Sequence, residues 1–181
     1  MEIKVLTLPG LRGSGPLHWQ TKWETSLTGI QRIEQSDWDA PVCANWIKKI
    51  EQAVKIAGPQ VVIAAHSLGC VALAHWAQQS STPITGALLV APADAEQPDF
   101  PPETKGFTPI PLTLLPFKSI VVASTNDDYC TLERALFFAE RWGSRFVNAG
   151  AKGHINSDSA VGDWPEGQTL LKELVQNWAT L

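Results

Sequence analysis

The sequence predicts an α/β domain of three layers, with helices on both faces of a mostly parallel sheet of about six strands. Two observations carry that expectation. Several short runs of β-branched and aliphatic residues are apolar at nearly every position, as strands are when both faces of a sheet are covered. These runs alternate with longer segments whose apolar residues recur at helical spacing, the order that right-handed crossovers between parallel strands require. A length of 181 residues suits one domain, expected to span residues 1–181.

The elements follow in chain order. IKVLTL (3–8) reads as a buried strand, and HWQTKWETSL (18–27) as a helix. GIQRIEQ (29–35) is a weaker strand. PVCANWIKKIEQAVKIA (41–57) spaces Trp46, Ile50 and Val54 by four, which predicts a helix. VVIAA (61–65) is wholly apolar and reads as a central strand; GCVALAHWAQQ (69–79) continues as a helix. ITGALLVA (84–91) and SIVVAS (119–124) are two further buried strands. Between them, PADAEQPDFPPETKGFTPIPLTLLPF (92–117) holds seven of the thirteen prolines, and an irregular stretch of that length in a compact domain is usually functional or mobile. TLERALFFAERW (131–142) predicts a helix, SRFVNAG (144–150) a weaker last strand, and GQTLLKELVQNWATL (167–181) the closing helix.

Composition narrows the function. Hydrophobic residues at 44% and charged residues at 18% are globular, and a formal charge of −4 gives no basic field for nucleic acid. The three cysteines, Cys43, Cys70 and Cys130, are odd in number and lack a C-x-x-C spacing, which points to free thiols and a reducing compartment, not to a zinc site. MEIKVLTLPG lacks the features of a signal peptide, and no apolar run is long enough to span a membrane. A cytoplasmic protein without metal or organic cofactor is expected.

The chemistry gathers at the junction of VVIAA and the helix after it. Ser67 falls where the chain must turn sharply from strand to helix, with the small residues Ala65 and Gly69 two positions to either side. Such a turn exposes a hydroxyl on a rigid backbone and aims helix N–H groups at it, so the Leu68 N–H is a candidate oxyanion donor. A base and an orienting acid are then required, in loops after later strands, acid first. His154 in AKGHINSD follows the last predicted strand and is the expected base. His66 should diverge from the hydroxyl, His75 suits packing, and His18 precedes both partners. For the acid, Asp127 and Asp128 in TNDDYC both qualify on position alone. The glycine-rich stretch LPGLRGSGPLHW (8–19) is neither G-x-G-x-x-G nor a Walker sequence, so it is no phosphate loop. It is expected to supply the second oxyanion donor, the Leu11 N–H, presented by the turn at Gly10.

PGLRGSGPLHWQTKWE, AHSLGC, STNDDYC and GAKGHINSDS together resemble the small serine hydrolase family that includes YdeN and retinoblastoma-binding protein 9. The likeness covers nearly the whole chain and implies a compact α/β-hydrolase fold. Members typically show Asn-Asp-Pro-Tyr after the acid strand with the first Asp in the triad, which implies Asp127; Asp128 stands where the proline is expected. The resemblance also implies that His18 and Trp19 wall the site beside Gly10. The activity it implies is hydrolysis of ester-like bonds, amide or thioester included, in small substrates through Ser67, His154 and Asp127. The alternative is a non-catalytic protein-binding module on the same scaffold. Its retinoblastoma-type signature, L-x-C-x-E, is approached at Leu68-Gly69-Cys70-Val71-Ala72, which lacks the glutamate.

Overall fold

The computed structural model describes residues 3–175. Its strands are β1 (Lys4–Leu8), β2 (Ile30–Arg32), β3 (Val61–His66), β4 (Gly86–Val90), β5 (Lys118–Ala123) and β6 (Arg145–Asn148). All neighbours pair in parallel, in the order β2-β1-β3-β4-β5-β6. The helices are α1 (Trp19–Ser26), α2 (Cys43–Ala57), α3 (Leu68–Gln79), α4 (Leu132–Trp142) and α5 (Pro165–Val175). Every predicted element within the described residues is present. β2 keeps only three residues of the predicted 29–35, because an edge strand with half-exposed residues has one partner to pair with. The closing helix starts two residues before Gly167, at Pro165, whose missing N–H costs nothing in a first turn. The predicted remainder of that helix, 176–181, lies outside the described residues.

Strand side chains alternate between two cores. Val61, Ile63 and Ala65 of β3 face the layer of α2, α3 and α4, where Trp46, Ile50, Leu73, Trp76, Phe138 and Trp142 are buried. Val62 and Ala64 face the layer of α1 and α5 with Trp19, Trp23, Trp164, Leu171 and Leu174. The period of two in the strand thus supplies both layers from one apolar run, which is why the sequence of β3 shows no polar position before its last residue, His66.

Chain order along the sheet reverses at β1 and β3, so the loops leaving their carboxyl ends diverge and open a crevice there. Two glycines let the backbones of those loops touch. A Cβ on Gly69 would lie 2.5 Å from the Leu8 carbonyl oxygen and 2.7 Å from that of Pro9. A Cβ on Gly10 would lie 2.8 Å from the Ser67 Cβ and 3.1 Å from the Leu68 nitrogen. Neither site has a flexible side chain that can give way.

The segment 92–117 is irregular but anchored. His75 of α3 donates to the Phe107 carbonyl (3.0 Å), and the Trp142 indole of α4 to that of Pro111 (2.7 Å). Arg134 of α4 pairs with Asp94 (3.2 Å) and Glu96, while Cys43 N donates to the Lys105 carbonyl (2.9 Å) at the start of α2. Three helices therefore fix a stretch that has no strand or helix of its own.

Gly69→Ala is expected to lower unfolding free energy in urea by about 1–3 kcal/mol through overpacking against backbone. Gly15→Ala, with nothing within 4 Å of the new methyl, serves as the matched control and should stay within about 0.5 kcal/mol.

Candidate active site

The strand β3 hands over to α3 in a single residue. Ser67 adopts φ 54° and ψ −124°, a conformation that L-residues rarely hold and that costs on the order of 1–3 kcal/mol. Its own N–H is tied to the Val90 carbonyl at the end of β4 (3.0 Å), so the strained turn is fixed from both sides. The Leu68 N–H, first in α3, has no intrahelical acceptor and faces the loop at Gly10.

The acid and the histidine arrive from neighbouring strands. Asp127 follows β5; its side chain is 2% exposed, and one oxygen accepts the Tyr129 N–H (2.9 Å). His154 follows β6. Its Nδ1 lies 2.9 Å from both Asp127 oxygens and its Nε2 2.8 Å from the Ser67 hydroxyl. Because the carboxylate accepts, Nδ1 carries the hydrogen and Nε2 is left to accept from Ser67. Asp128, by contrast, is exposed, and both oxygens at His154 Nδ1 belong to Asp127. The two carboxylates that looked equivalent in sequence are separated by the tight turn at Asp127, which sends one inward and its neighbour out.

Side-chain and backbone bonds sew the acid loop to the histidine loop. Asn126 Oδ1 accepts from Ser124 Oγ (2.9 Å) and from the Gly153 N–H (2.8 Å), and Ser124 Oγ accepts the Lys152 N–H (2.8 Å). A second set reaches across from the N-terminal half. The His66 imidazole meets the His154 carbonyl (2.9 Å), and the Trp19 indole donates to the next carbonyl, that of Ile155 (3.0 Å).

Trp19 requires a correction. The resemblance implies that it walls the site, whereas it is fully buried beneath the cleft, packed on Trp23 and Trp164 with ring centroids 4.5 and 5.1 Å away. A large indole with an N–H partner in the core is worth more there than at a wet surface. Gly10 likewise contributes its lack of a side chain, lying against Ser67, and is absent from the cleft wall. His18 does line the cleft, together with Leu11, Ser67, His66 and His154.

That cleft encloses about 290 Å³. Arg12, Gly13 and Gly15 form one side, Phe100 and Pro101 of the anchored segment another, and Tyr129 and Asn156–Asp158 a third. Tyr129 is half-exposed, its ring 4.5 Å from that of His154. Of the cleft residues, Ser67, His154, Leu11 and His18 are expected from the sequence in site roles, whereas Arg12, Gly13, Gly15, Phe100, Pro101, Tyr129 and Asn156–Asp158 are not. Tyr129 was within reach, two positions from Asp127 in STNDDYC, but Phe100 and Pro101 carry no local signal and are brought in only by distant anchors. Among the described residues no group of three or more His, Cys, Asp or Glu is gathered to hold a metal ion, and no helix is long and apolar enough to cross a membrane.

Burial sets the state of two imidazoles beside the triad. Desolvation, with the nearby His154 and Arg32, pushes His18 down to about 3, and desolvation with its neighbours His18 and His154 pushes His66 well below the ordinary histidine value. Both are neutral in the fold. The three thiols, all free and buried, are pushed up by desolvation, Cys43 to about 12.

A parallel sheet of this order, with a strained serine between its third strand and the following helix, an aspartate after the fifth and a histidine after the sixth, defines an α/β hydrolase. Residues 5–173 match the serine hydrolase family, and the chain belongs to that family. Among solved structures it is similar to a YdeN-like hydrolase from Pectobacterium atrosepticum, at 30% identity and a TM-score of 0.85 over 97% of this chain and 91% of the other. The ydeN gene product of B. subtilis shares the fold at 16% identity and a TM-score of 0.76, over 97% of this chain and all of the other (100%). Est1E from Butyrivibrio proteoclasticus, solved with ferulic acid bound, shares it at 12% identity and a TM-score of 0.71, over 97% and 90%. No curated protein matches the chain.

In the unfolded chain His18 takes a proton below about pH 6.5, whereas in the fold it stays neutral to about 3, so the unfolded state binds more protons and stability falls as pH drops through that window. Asn caps a helix as well as the His18 side chain does at α1. His18→Asn should therefore flatten the fall in urea-unfolding free energy between about pH 6 and 4 by about 1.4 kcal/mol per pH unit.

Proposed function

We propose that this member of the serine hydrolase family cleaves ester-like bonds of small substrates through an acyl-enzyme, with Ser67, His154 and Asp127 as its triad. The observation that carries the reading is the unbroken chain from Ser67 Oγ to His154 Nε2 (2.8 Å) and from His154 Nδ1 to Asp127 (2.9 Å). Ser67 Oγ adds to the substrate carbonyl as its proton passes to His154 Nε2, and the C=O electron pair moves onto oxygen. The Leu11 and Leu68 N–H groups receive that oxyanion; the contact of Gly10 with the Leu68 nitrogen supports the pairing. Collapse breaks the bond to the leaving group, which takes the proton back from His154. Water, deprotonated by the same imidazole, then attacks the acyl-Ser67 carbonyl, and the second collapse frees the acid and restores the hydroxyl. Asp127 holds the imidazole tautomer throughout and stabilises its protonated form.

A cleft of about 290 Å³ favours small acyl groups, esters foremost, with thioesters and amides open to the same chemistry. No cofactor enters these steps. One α/β-hydrolase domain in the cytoplasm is the setting the three free thiols favour. The binding-module alternative loses its sequence handle, because Leu68, Gly69, Cys70, Val71 and Ala72 are all buried in α3 and offer no partner a surface.

A fluorophosphonate probe should add covalently to Ser67 in the folded protein, read by intact mass and peptide mapping, and Ser67→Ala should take no label; a folded native chain without label overturns the reading. With a p-nitrophenyl ester, Asp127→Asn should lower kcat by about 10³–10⁴-fold. Asp128→Asn should keep kcat within about threefold.

A further inference from the structure

His66, the residue just before the nucleophile, does no chemistry in the steps above, yet it is buried against the triad. Its Nε2 lies 2.9 Å from the His154 carbonyl oxygen. A carbonyl only accepts, so this nitrogen carries the hydrogen, and the imidazole is the donor that fixes the backbone of the histidine whose ring meets Ser67. The two rings stand edge to face, centroids 4.8 Å apart, and the His18 ring packs edge to face on His66 at 4.6 Å. The neighbouring Ile155 carbonyl is held in the same way by Trp19, at 3.0 Å. Two successive carbonyls of the histidine loop are thus gripped by ring N–H groups from the nucleophile side of the molecule.

We infer that His66 is a positioning residue: its Nε2–H, bonded to the His154 carbonyl, sets the distance between the His154 imidazole and the Ser67 hydroxyl. This role of His66 rests on the triad reading above. Neighbours in sequence usually diverge, and the His66 ring bonds not the hydroxyl but the carbonyl of His154, so it reaches the triad through the other loop. The elbow therefore carries both the nucleophile and the register pin for its base. Bonds from Gly153 to Asn126, from Lys152 to Ser124 and from the Thr125 N–H to the Gly150 carbonyl tie the loop to the acid side, whereas His66 and Trp19 tie its backbone to the serine side. Burial keeps His66 neutral, hence a donor at Nε2 without a charge that would repel a protonated His154.

Side-chain length provides the test. Gln places its amide nitrogen the same number of bonds from Cβ as the histidine Nε2, whereas Asn ends one bond short. His66→Gln should retain kcat with a p-nitrophenyl ester within about tenfold of native. His66→Asn should lose about 10²-fold in kcat with KM nearly unchanged, the size of loss that a misplacement near 1 Å brings, and should slow fluorophosphonate labelling of Ser67 in parallel. Equal urea midpoints for the two variants would place the difference in positioning. Hydrogen exchange supplies a readout independent of the chemistry: amides of Lys152, Gly153 and Ile155 should exchange at least tenfold faster in His66→Asn than in His66→Gln, with β3 unchanged. Asn and Gln variants that match in kcat and in loop exchange overturn the role of His66. A native chain that takes no label while the exchange contrast persists overturns the triad reading alone and supports the grip of His66 on the loop.

Discussion

The constraint on which the site rests is the turn at Ser67. A buried parallel strand ends, and a helix begins, within one residue held at positive φ, and that compression puts the hydroxyl, the first helical N–H and the mouth of the crevice at one point. The conformation is unfavourable by itself and persists because its surroundings leave no alternative. Ser67 N is tied to β4, Gly69 lies on the carbonyls of Leu8 and Pro9, and Gly10 lies on Ser67 from the other loop. Any side chain at either glycine would push the two loops apart and remove the geometry on which the proposed oxyanion binding depends.

From that point the fold organises outwards. Strand order brings the acid loop after β5 and the histidine loop after β6 beside the turn, and the parallel arrangement sends all these loops to the same edge of the sheet. Local bonds then do the fine placement. Asn126 and Ser124 hold the histidine loop from one side, His66 and Trp19 from the other. His154 has its ring between Asp127 and Ser67 and its own carbonyl engaged, so both its backbone and its imidazole are constrained.

Much of this was legible in the residues, and what was not has a physical reason. The runs VVIAA, ALLV and IVVA name the buried strands because both sheet faces need apolar groups, and Ala65-x-Ser67-x-Gly69 names the turn because only small residues fit it. His154 and the pair Asp127/Asp128 follow from loop order. Choosing Asp127 took the resemblance, since the direction of a side chain in a turn is set by φ and ψ, to which composition is blind. Trp19 shows the opposite error: motif proximity to the nucleophile puts an indole near the site, but its N–H found the Ile155 carbonyl in the core and its ring two other indoles. Long-range pairs such as His66 with His154 and Phe107 with His75 leave no periodic trace in the sequence.

The anchored segment 92–117 separates what holds it from what it presents. Its attachments run through backbone carbonyls, through Asp94 and Glu96, and through bases in α3 and α4, while Phe100 and Pro101 meet the cleft. A replacement at those two tips leaves every anchor intact and leaves the triad loops untouched. At these two positions the wall of the cleft can therefore change without any change in the loops that carry Ser67, Asp127 and His154, so on the proposed reading substrate fit and chemistry are separable there.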